Sequence, residues 1–524
     1  MAKPTAGALL ELDLSSATKT ALHRQLYLAV KRAILEGRLQ VGTRLPSTRI
    51  LAQDMQVSRT TVLNAFDQLA AEGYLKGKVG SGTWVASSVP GDLRQLETGS
   101  FALRGKPHVS RRAQVDAIAS DFSFLAQSAR PLRPGQPDLN LFPLELWSRL
   151  AAKHWRRATR DPEHIDSLGY RPLRRALCAL VGRMRGVKCQ PEQVLIVAGA
   201  QQALYLCAHT LLDPGESVWM EDPGYPRARA AFLAAGLRVV PVPVDLQGLV
   251  VSAGKKKEPF PRLIYVTPSF QCPLGCMMSL RRRFELLRVA DEADAWIIED
   301  DYFSEYRFGS GPAASLQSID RAQRVIYIGN FSKSIAPSLR IGYLVLPPAL
   351  VGTFARVRTT LSRQPPGVDQ AILTEFISEG HLERHIRTTQ GIYREREQAL
   401  VEAISEYGEG ILETNPTGTG MYLIAWLNPG VDDRTAAQDA ATHGVDVIPL
   451  STFSVKPLHR NGLVLGYSAY GGNRIRSAVK ELCAALHGTR DLSGKLTRGS
   501  GRSHPQNDTF RQRPAKSLPM FESA

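Results

Sequence analysis

Apolar residues recur with different periods along the chain, and each change of period marks a change of structure. Near the N-terminus Leu22, Leu26, Val30 and Ile34 repeat at helical spacing, which predicts an amphipathic helix. Gly37 and Gly42 stop it. Pro46-Ser47 opens a second, short helix over about residues 48–55 with Ser47 as its N-cap. After a turn through Gln56-Val57, Ser58 caps a third helix that starts at Arg59. Tyr74–Lys78 and Thr83–Val85 then read as two strands around the tip Val79-Gly80-Ser81-Gly82.

Between residue 88 and about 130 periodicity is lost, and Pro90, Gly91, Gly99, Gly105 and Pro107 punctuate the stretch. It reads as a linker. From 131 to 489, short apolar runs alternate with helical patterns, as in Val194–Val197, Leu263–Val266, Trp296–Ile298 and Val325–Ile328. Uninterrupted apolar runs of this length fit strands buried on both faces of a parallel sheet, so the large domain is expected to be α/β. A smaller C-terminal subdomain is expected over about 365–489. Residues 490–524 are rich in Ser, Gly, Pro and Arg and are expected to form a disordered basic tail.

Composition narrows the classes. With 524 residues, 43% hydrophobic and 22% charged, the chain is globular in bulk. No apolar run reaches the length of a membrane span, and Met1–Ser16 lacks an apolar signal core, so a cytoplasmic protein without membrane partners is expected. The six cysteines, Cys178, Cys189, Cys207, Cys272, Cys276 and Cys483, are scattered rather than framed for disulfides, which suits a reducing compartment. Cys272 and Cys276 lack the spacing of a zinc knuckle, and no metal site is expected. The net charge of +16 suggests a polyanion partner, yet residues 1–87 hold eleven Lys/Arg against six Asp/Glu. Placement of individual cations therefore matters more than the total.

Two short helices joined by so tight a turn form a helix-turn-helix, whose second helix presents its first residues to base edges and phosphates. Arg59 can make a bidentate contact to guanine, and Thr60 and Thr61 can bond phosphate oxygens. A three-helix module with a solvated basic face is the alternative. The strings Gly42-Thr43-Arg44-Leu45-Pro46-Ser47-Thr48-Arg49, Val57-Ser58-Arg59-Thr60-Thr61-Val62 and Gly80-Ser81-Gly82-Thr83 resemble the winged helix of the GntR regulator family. The resemblance implies a DNA-binding surface that includes Arg44, Arg49, Ser58, Arg59, Thr60, Thr61 and, at the wing tip, Gly80. Families of this type often carry Arg two residues after Thr61, where this chain has Leu63.

In the large domain, Lys333 follows an apolar strand in Ile328-Gly329-Asn330-Phe331-Ser332-Lys333, at the strand end where open α/β sheets hold ligands. Asp300 ends another strand, where a carboxylate can hold a pyridinium nitrogen protonated; a turn cap is its ordinary alternative. Ala198-Gly199-Ala200-Gln201-Gln202 begins a helix after a third strand, and backbone N–H groups there can cradle a phosphate. Arg340 can neutralise the same phosphate.

Phosphate cradle, acid and lysine, each after a strand, resemble fold-type I enzymes that use pyridoxal 5′-phosphate, the aspartate aminotransferase superfamily, over about residues 131–489. That resemblance implies an internal aldimine at Lys333, stacking of Tyr225 on the cofactor ring, a bond from Tyr302 to its 3′-oxygen, and phosphate contacts at Ala200, Gln201 and Arg340. A GntR-like head joined to such a domain resembles the MocR subfamily. This implies a homodimeric, head-to-tail transcription regulator that binds double-stranded operator DNA and pyridoxal phosphate. It would sense the cofactor or a small amine or amino acid, with Arg227 contacting the effector.

Two departures stand out. The usual Ser-His-Gln-aromatic-Pro motif reads Ser269-Phe270-Gln271-Cys272-Pro273, and the late-strand arginine that clamps a substrate α-carboxylate aligns with Val464. Without that bidentate anchor, at most partial transamination, by exchange of amines on the cofactor, is expected. A working aminotransferase with an appended DNA-binding head is the runner-up, and a repressor with an inert scaffold is the third reading.

Overall fold

The computed structural model describes residues 20–78, 82–86, 130–156, 166–308, 314–362 and 366–496. The chain divides into two compact units, Met1–His108 and Val109–Ala524.

In the first unit, helices Leu22–Leu35, Thr48–Asp54 and Arg59–Ala71 pack against a small antiparallel sheet. Its strands are β1 (Arg44–Leu45), β2 (Leu75–Lys78) and β3 (Gly82–Val85), in the order β1-β3-β2. The caps read from sequence are present: Ser47 Oγ accepts from Ile50 N, and Ser58 Oγ accepts from Thr61 N at 3.1 Å. Leu26, Val30, Leu51, Val62, Phe66, Leu69 and Leu75 form the core. Across the first and third helices, Glu72 accepts from Tyr27 Oη and pairs with Lys31 at 2.7 Å. The Lys31 ammonium holds the Glu72 carboxyl down at about 2.

The second unit is built on an eight-stranded sheet: β4 (Val194–Val197), β5 (Ser217–Asp222), β6 (Arg238–Asp245), β7 (Gly248–Leu249), β8 (Leu263–Val266), β9 (Trp296–Asp301), β10 (Val325–Asn330) and β11 (Gly342–Val345). The order is β4-β11-β10-β9-β8-β5-β6-β7. From β10 through β9, β8 and β5 to β6 all pairings are parallel, while β11 runs antiparallel to both neighbours. Alternate residues of each strand enter different cores. Leu195 and Val197 pack with helices Ala200–Leu211 and Pro226–Ala234 on one face, and Val194 and Ile196 with helix Arg171–Arg185 on the other. That two-sided burial is why these strands read as unbroken apolar runs.

A four-stranded antiparallel sheet follows, with β12 (Leu412–Glu413), β13 (Tyr422–Leu427), β14 (Ile448–Pro449) and β15 (Gly462–Gly466) in the order β12-β13-β15-β14. Helices His381–Tyr407, Asp433–Thr442 and Gly472–Leu496 accompany it. Helix Gly367–Ser378 instead packs Ile372, Leu373 and Phe376 onto the large sheet. Leu382 and Ile386 join the same core, so the smaller subdomain starts within helix His381–Tyr407, later than the 365 read from sequence. The last helix also runs to Leu496, past the start expected for the basic tail. Most of the expected linker, 88–129, and residues 497–524 lie outside the described residues.

The segment Pro131–Asp138 runs along β15. Gly466 N donates to Leu132 O at 2.7 Å, and Ser468 Oγ donates to Gln136 O. A Cβ on Gly466 would stand 2.1 Å from the Arg133 carbonyl oxygen, so the approach requires glycine.

Candidate functional site

Parallel pairing brings the carboxyl ends of the central strands to one edge of the sheet. Register sets Ile328 beside Asp300 and both Asn330 and Val197 beside Gly342. The segments leaving β4, β5, β9 and β10 therefore converge, carrying Gly199, Tyr225, Tyr302 and Lys333.

Asp300 is 4% exposed. Its Oδ2 accepts from Tyr265 Oη at 2.8 Å, while its buried Oδ1 has no partner. Burial pushes the carboxyl up to about 7 against the opposing effect of the Tyr265 bond. A buried oxygen left unsatisfied is costly, and a cationic N–H supplied there would both pair it and favour its ionised form. The neighbouring Asp301 is turned to the other core, paired with Arg185 at 2.7 Å and accepting from Tyr327 Oη at 2.6 Å. Adjacent strand positions thus separate two acids that look alike in the sequence.

Lys333 follows the end of β10, and its Nζ donates to the carbonyl of Gly135. Burial, then the Arg227 cation, depress its amine to about 8. A lysine with an amine pKa near neutrality has the free base needed for carbonyl attack. Gly135 and Arg133, whose cation also acts on Lys333, were missed by sequence reasoning. The Gly135 φ of +69° leaves only a turn glycine as a signal.

Gly199, with a φ of +94°, turns the chain into the helix that begins at Ala200. The first N–H groups of a helix have no intrahelical acceptor. A Cβ added to Gly199 would meet the Arg340 guanidinium at 3.6 Å, so that cation lies directly over the turn. Gln201 does not aim its side chain into the cradle; its Nε2 donates to Arg227 O at 3.2 Å. The neighbouring Gln202 accepts from Ala198 N at 2.6 Å and orders the turn.

Tyr225 caps helix Pro226–Ala234 and feels the charges of Arg227, Asp300 and Arg340, while burial raises its phenol well above the ordinary range. Tyr302 Oη is paired with Tyr422 Oη at 3.0 Å, a partner from the smaller subdomain with no sequence signal. Where the usual motif has histidine, Phe270 packs edge-on to Tyr302, Phe303 and Tyr422, with centroids 6.1, 5.5 and 5.3 Å away. Gln271 donates to the Pro223 and Cys272 carbonyls at 2.8 Å. Cys272 is buried, its thiol pushed up to about 12, which makes it an apolar wall rather than a nucleophile. Val464 lies in register with Ile424 and Ile448 inside the small-subdomain core, so no guanidinium projects from that position.

The residues present fit pyridoxal phosphate on chemical grounds. An unpartnered buried carboxylate oxygen suits its ring nitrogen, a depressed amine its aldehyde, and a glycine turn under Arg340 its phosphate.

In the first unit Arg49, Arg59 and Thr60 are exposed. Arg44 lies across the wing, its guanidinium 5.6 Å from the Trp84 ring centroid and 2.9 Å from a Cβ placed on Gly82. Ser58 and Thr61 are joined hydroxyl to hydroxyl at 2.8 Å, so they fix the start of the third helix. Gly80 lies outside the described residues.

Comparison with known proteins agrees with both halves. Residues 22–85 match the family of bacterial regulatory proteins called gntR, and residues 149–463 match aminotransferase class I and II. The chain is 39% identical over 472 residues to the probable rhizopine catabolism regulatory protein MocR of Rhizobium meliloti, covering 89% of this chain and 94% of the relative. It is 29% identical to the pyridoxine biosynthesis transcriptional regulator PdxR of Corynebacterium glutamicum, covering 91% and 98%. Among solved structures, the α-aminoadipate aminotransferase LysN of Thermus thermophilus, complexed with N-(5′-phosphopyridoxyl)-L-leucine, superposes with a TM-score of 0.66 at 29% identity. That match covers 73% of this chain and 98% of LysN.

Proposed function

The chain belongs to the MocR-type regulators of the GntR family, DNA-binding transcription regulators with an aminotransferase-like domain that binds pyridoxal phosphate, and from that premise we propose how its own residues divide the work. Lys333 would hold the cofactor covalently, Asp300 would pair its ring nitrogen, Tyr225 would cover its ring, and Arg340 with the Gly199-Ala200 turn would bind its phosphate. When bound, the cofactor supplies an aldehyde that condenses with amines and a ring that withdraws electrons.

The observation that carries this reading is the buried, unpartnered Oδ1 of Asp300 at the same sheet edge as a lysine amine lowered to about 8. The free base of Lys333 would be the nucleophile toward that aldehyde, held in place by the Gly135 carbonyl. Tyr302 and Tyr422 share a hydrogen bond across the two subdomains, so a ligand that competes for either phenol biases their closure. An effector amine entering beside Arg227 would take the place of Lys333, whose freed amine could return to the Gly135 carbonyl. DNA affinity changes to the extent that the effector prefers one closure over the other. Because Val464 presents no cation, the effector's amine matters more than an α-carboxylate. The regulator works as a head-to-tail homodimer in the cytoplasm, with Arg44, Arg49, Arg59, Thr60 and Thr61 on operator DNA.

The second reading, an active aminotransferase, is disfavoured by Val464 in the core and Phe270 in place of histidine. Operator-binding titrations of cofactor-loaded wild type and Lys333→Ala, with and without a panel of amines, test the proposal. Amine-dependent shifts in wild type that vanish in Lys333→Ala are expected. Equal amine responses in both proteins would refute it, and sustained turnover of an amino acid would favour the enzyme.

A further inference from the structure

Cys178 and Cys189 lie far from the chemistry at Lys333 in sequence and take no part in the site, yet they are brought into contact. Cys178 sits in the helix Arg171–Arg185. That helix ends at Gly186, whose φ of +68° is the left-handed conformation favoured by glycine, with Gly186 N donating to Gly182 O and Val187 N to Val181 O. The reversal carries the chain back along the helix, so that the Cys189 S–H donates to Cys178 Sγ at 3.2 Å although the two are eleven residues apart.

Neither half of this pair is free to drift. Lys188 is bracketed by Gln317, which accepts from its N–H at 3.0 Å and donates to its carbonyl at 2.9 Å. Gln190 N donates to Gln193 Oε1 at 2.9 Å and fixes the next turn. Arg174, one turn before Cys178, reaches Pro191 O at 3.3 Å and so spans the same two segments. Both thiols are free and only partly buried, so small oxidants reach them. Cys207, Cys272 and Cys483 are buried instead.

A sulfur–sulfur bond is about 2.05 Å long, so closing the pair needs about 1 Å of movement, within reach of side-chain adjustment. The chemistry is also polarised. The Cys189 S–H bond stabilises a Cys178 thiolate against burial and the Glu192 carboxylate, with the Arg174 cation adding a smaller share in its favour, whereas that role pushes the Cys189 thiol up. Thiolate is the attacking species in thiol oxidation.

We propose that Cys178 and Cys189 are a reversible redox pair that a peroxide converts to an internal disulfide. Cys178 thiolate attacks one peroxide oxygen, the O–O bond breaks, and a sulfenic acid forms while the other oxygen leaves as water or an alcohol after protonation. The Cys189 sulfur then attacks the Cys178 sulfur, the S–S bond forms, the S–O bond breaks, and water leaves with the Cys189 proton. Two electrons pass from the sulfurs to the peroxide. The bond ties the helix to the chain entering β4, which leads to the Gly199 turn. Disulfides of this kind in a reducing compartment are transient and serve sensing.

The test uses the reduced full-length protein and hydrogen peroxide. Thiol titration after denaturation should fall from six to four, and peptide mapping should return one cross-linked Cys178–Cys189 pair, about 2 Da lighter than the two reduced peptides. Dithiothreitol should restore all six thiols. Cys189→Ser should give no cross-link and should leave a sulfenic acid at Cys178 that dimedone traps. A wild-type protein that keeps six thiols, that pairs different cysteines, or that runs to sulfonic acid without cross-linking overturns the proposal.

Discussion

Replacing Asp300 with asparagine should stabilise the cofactor-free protein and at the same time weaken its grip on the cofactor. The wild-type carboxyl titrates near 3.8 when unfolded and at about 7 in its buried position. A raised folded value means that its contribution to stability is fully present below about pH 4 and is lost as pH rises toward 7. At about 1.36 kcal/mol per unit, a displacement of about three units costs the apo-protein about 4 kcal/mol above pH 7. Asparagine keeps an oxygen for the Tyr265 bond and carries no charge to bury. Urea unfolding of apo wild type and Asp300→Asn should therefore show a gap that is small at pH 4, about 1–2 kcal/mol at pH 5 and largest, near 4 kcal/mol, at pH 8. Cofactor acts in the opposite direction and should narrow the gap: loss of a charge-assisted bond at Oδ1, worth about 1.5–3 kcal/mol, should weaken retention by roughly 10- to 100-fold. A stability gap that does not grow with pH, or a wild type that is the more stable apo-protein at pH 8, would refute the reasoning.

Reductive trapping of pyridoxal phosphate on Lys333 should rise with pH with its midpoint near 8, since at pH 7.5 about a quarter of an amine of that pKa is free base, against about 0.1% for an ordinary lysine. Lys333→Ala should lose the trapped cofactor from the protein as a whole, as read by intact mass. Arg59→Ala should cost about 1–3 kcal/mol of discrimination between operator variants if it reads a guanine, measured by competition at fixed salt; equal losses on all sequences would make it a phosphate contact. Gly466→Ala forces a Cβ against the Arg133 carbonyl, and should destabilise the second unit by about 1–3 kcal/mol, measured by urea unfolding of the full chain.

Much of this arrangement was legible because the signals were local. Ser47 and Ser58 announce helix starts through capping, and both strand runs around Asp300 and Lys333 are apolar because both faces are buried. What stayed hidden depends on distant partners. Nothing near Gly135 says that its carbonyl meets Lys333, and nothing near Tyr422 says that it meets Tyr302. The boundary at 365 was misread because helix Gly367–Ser378 has the same amphipathic texture whether it covers the large sheet or the small one. The tail was started at Arg490 on composition, although the last helix carries on to Leu496. Ser58 and Thr61 were read as DNA contacts from the family resemblance, while their mutual bond is a matter of rotamers.

The Gly135 contact bears on the order in which the molecule is built. Lys333 meets a carbonyl 198 residues earlier in the chain, and Ser468 reaches back 332 residues to Gln136. Asp138 is held from Tyr393 and Arg396, 255 and 258 residues later. Contacts of such separation form late, because the intervening loop must close before they repay its lost entropy. During synthesis the segment that orients the lysine emerges first, yet it has nowhere to dock until β15 has followed. Cofactor capture is thus a report that the whole second unit has been completed, and a chain truncated before Gly462 would carry Lys333, Asp300 and Arg340 without a usable site.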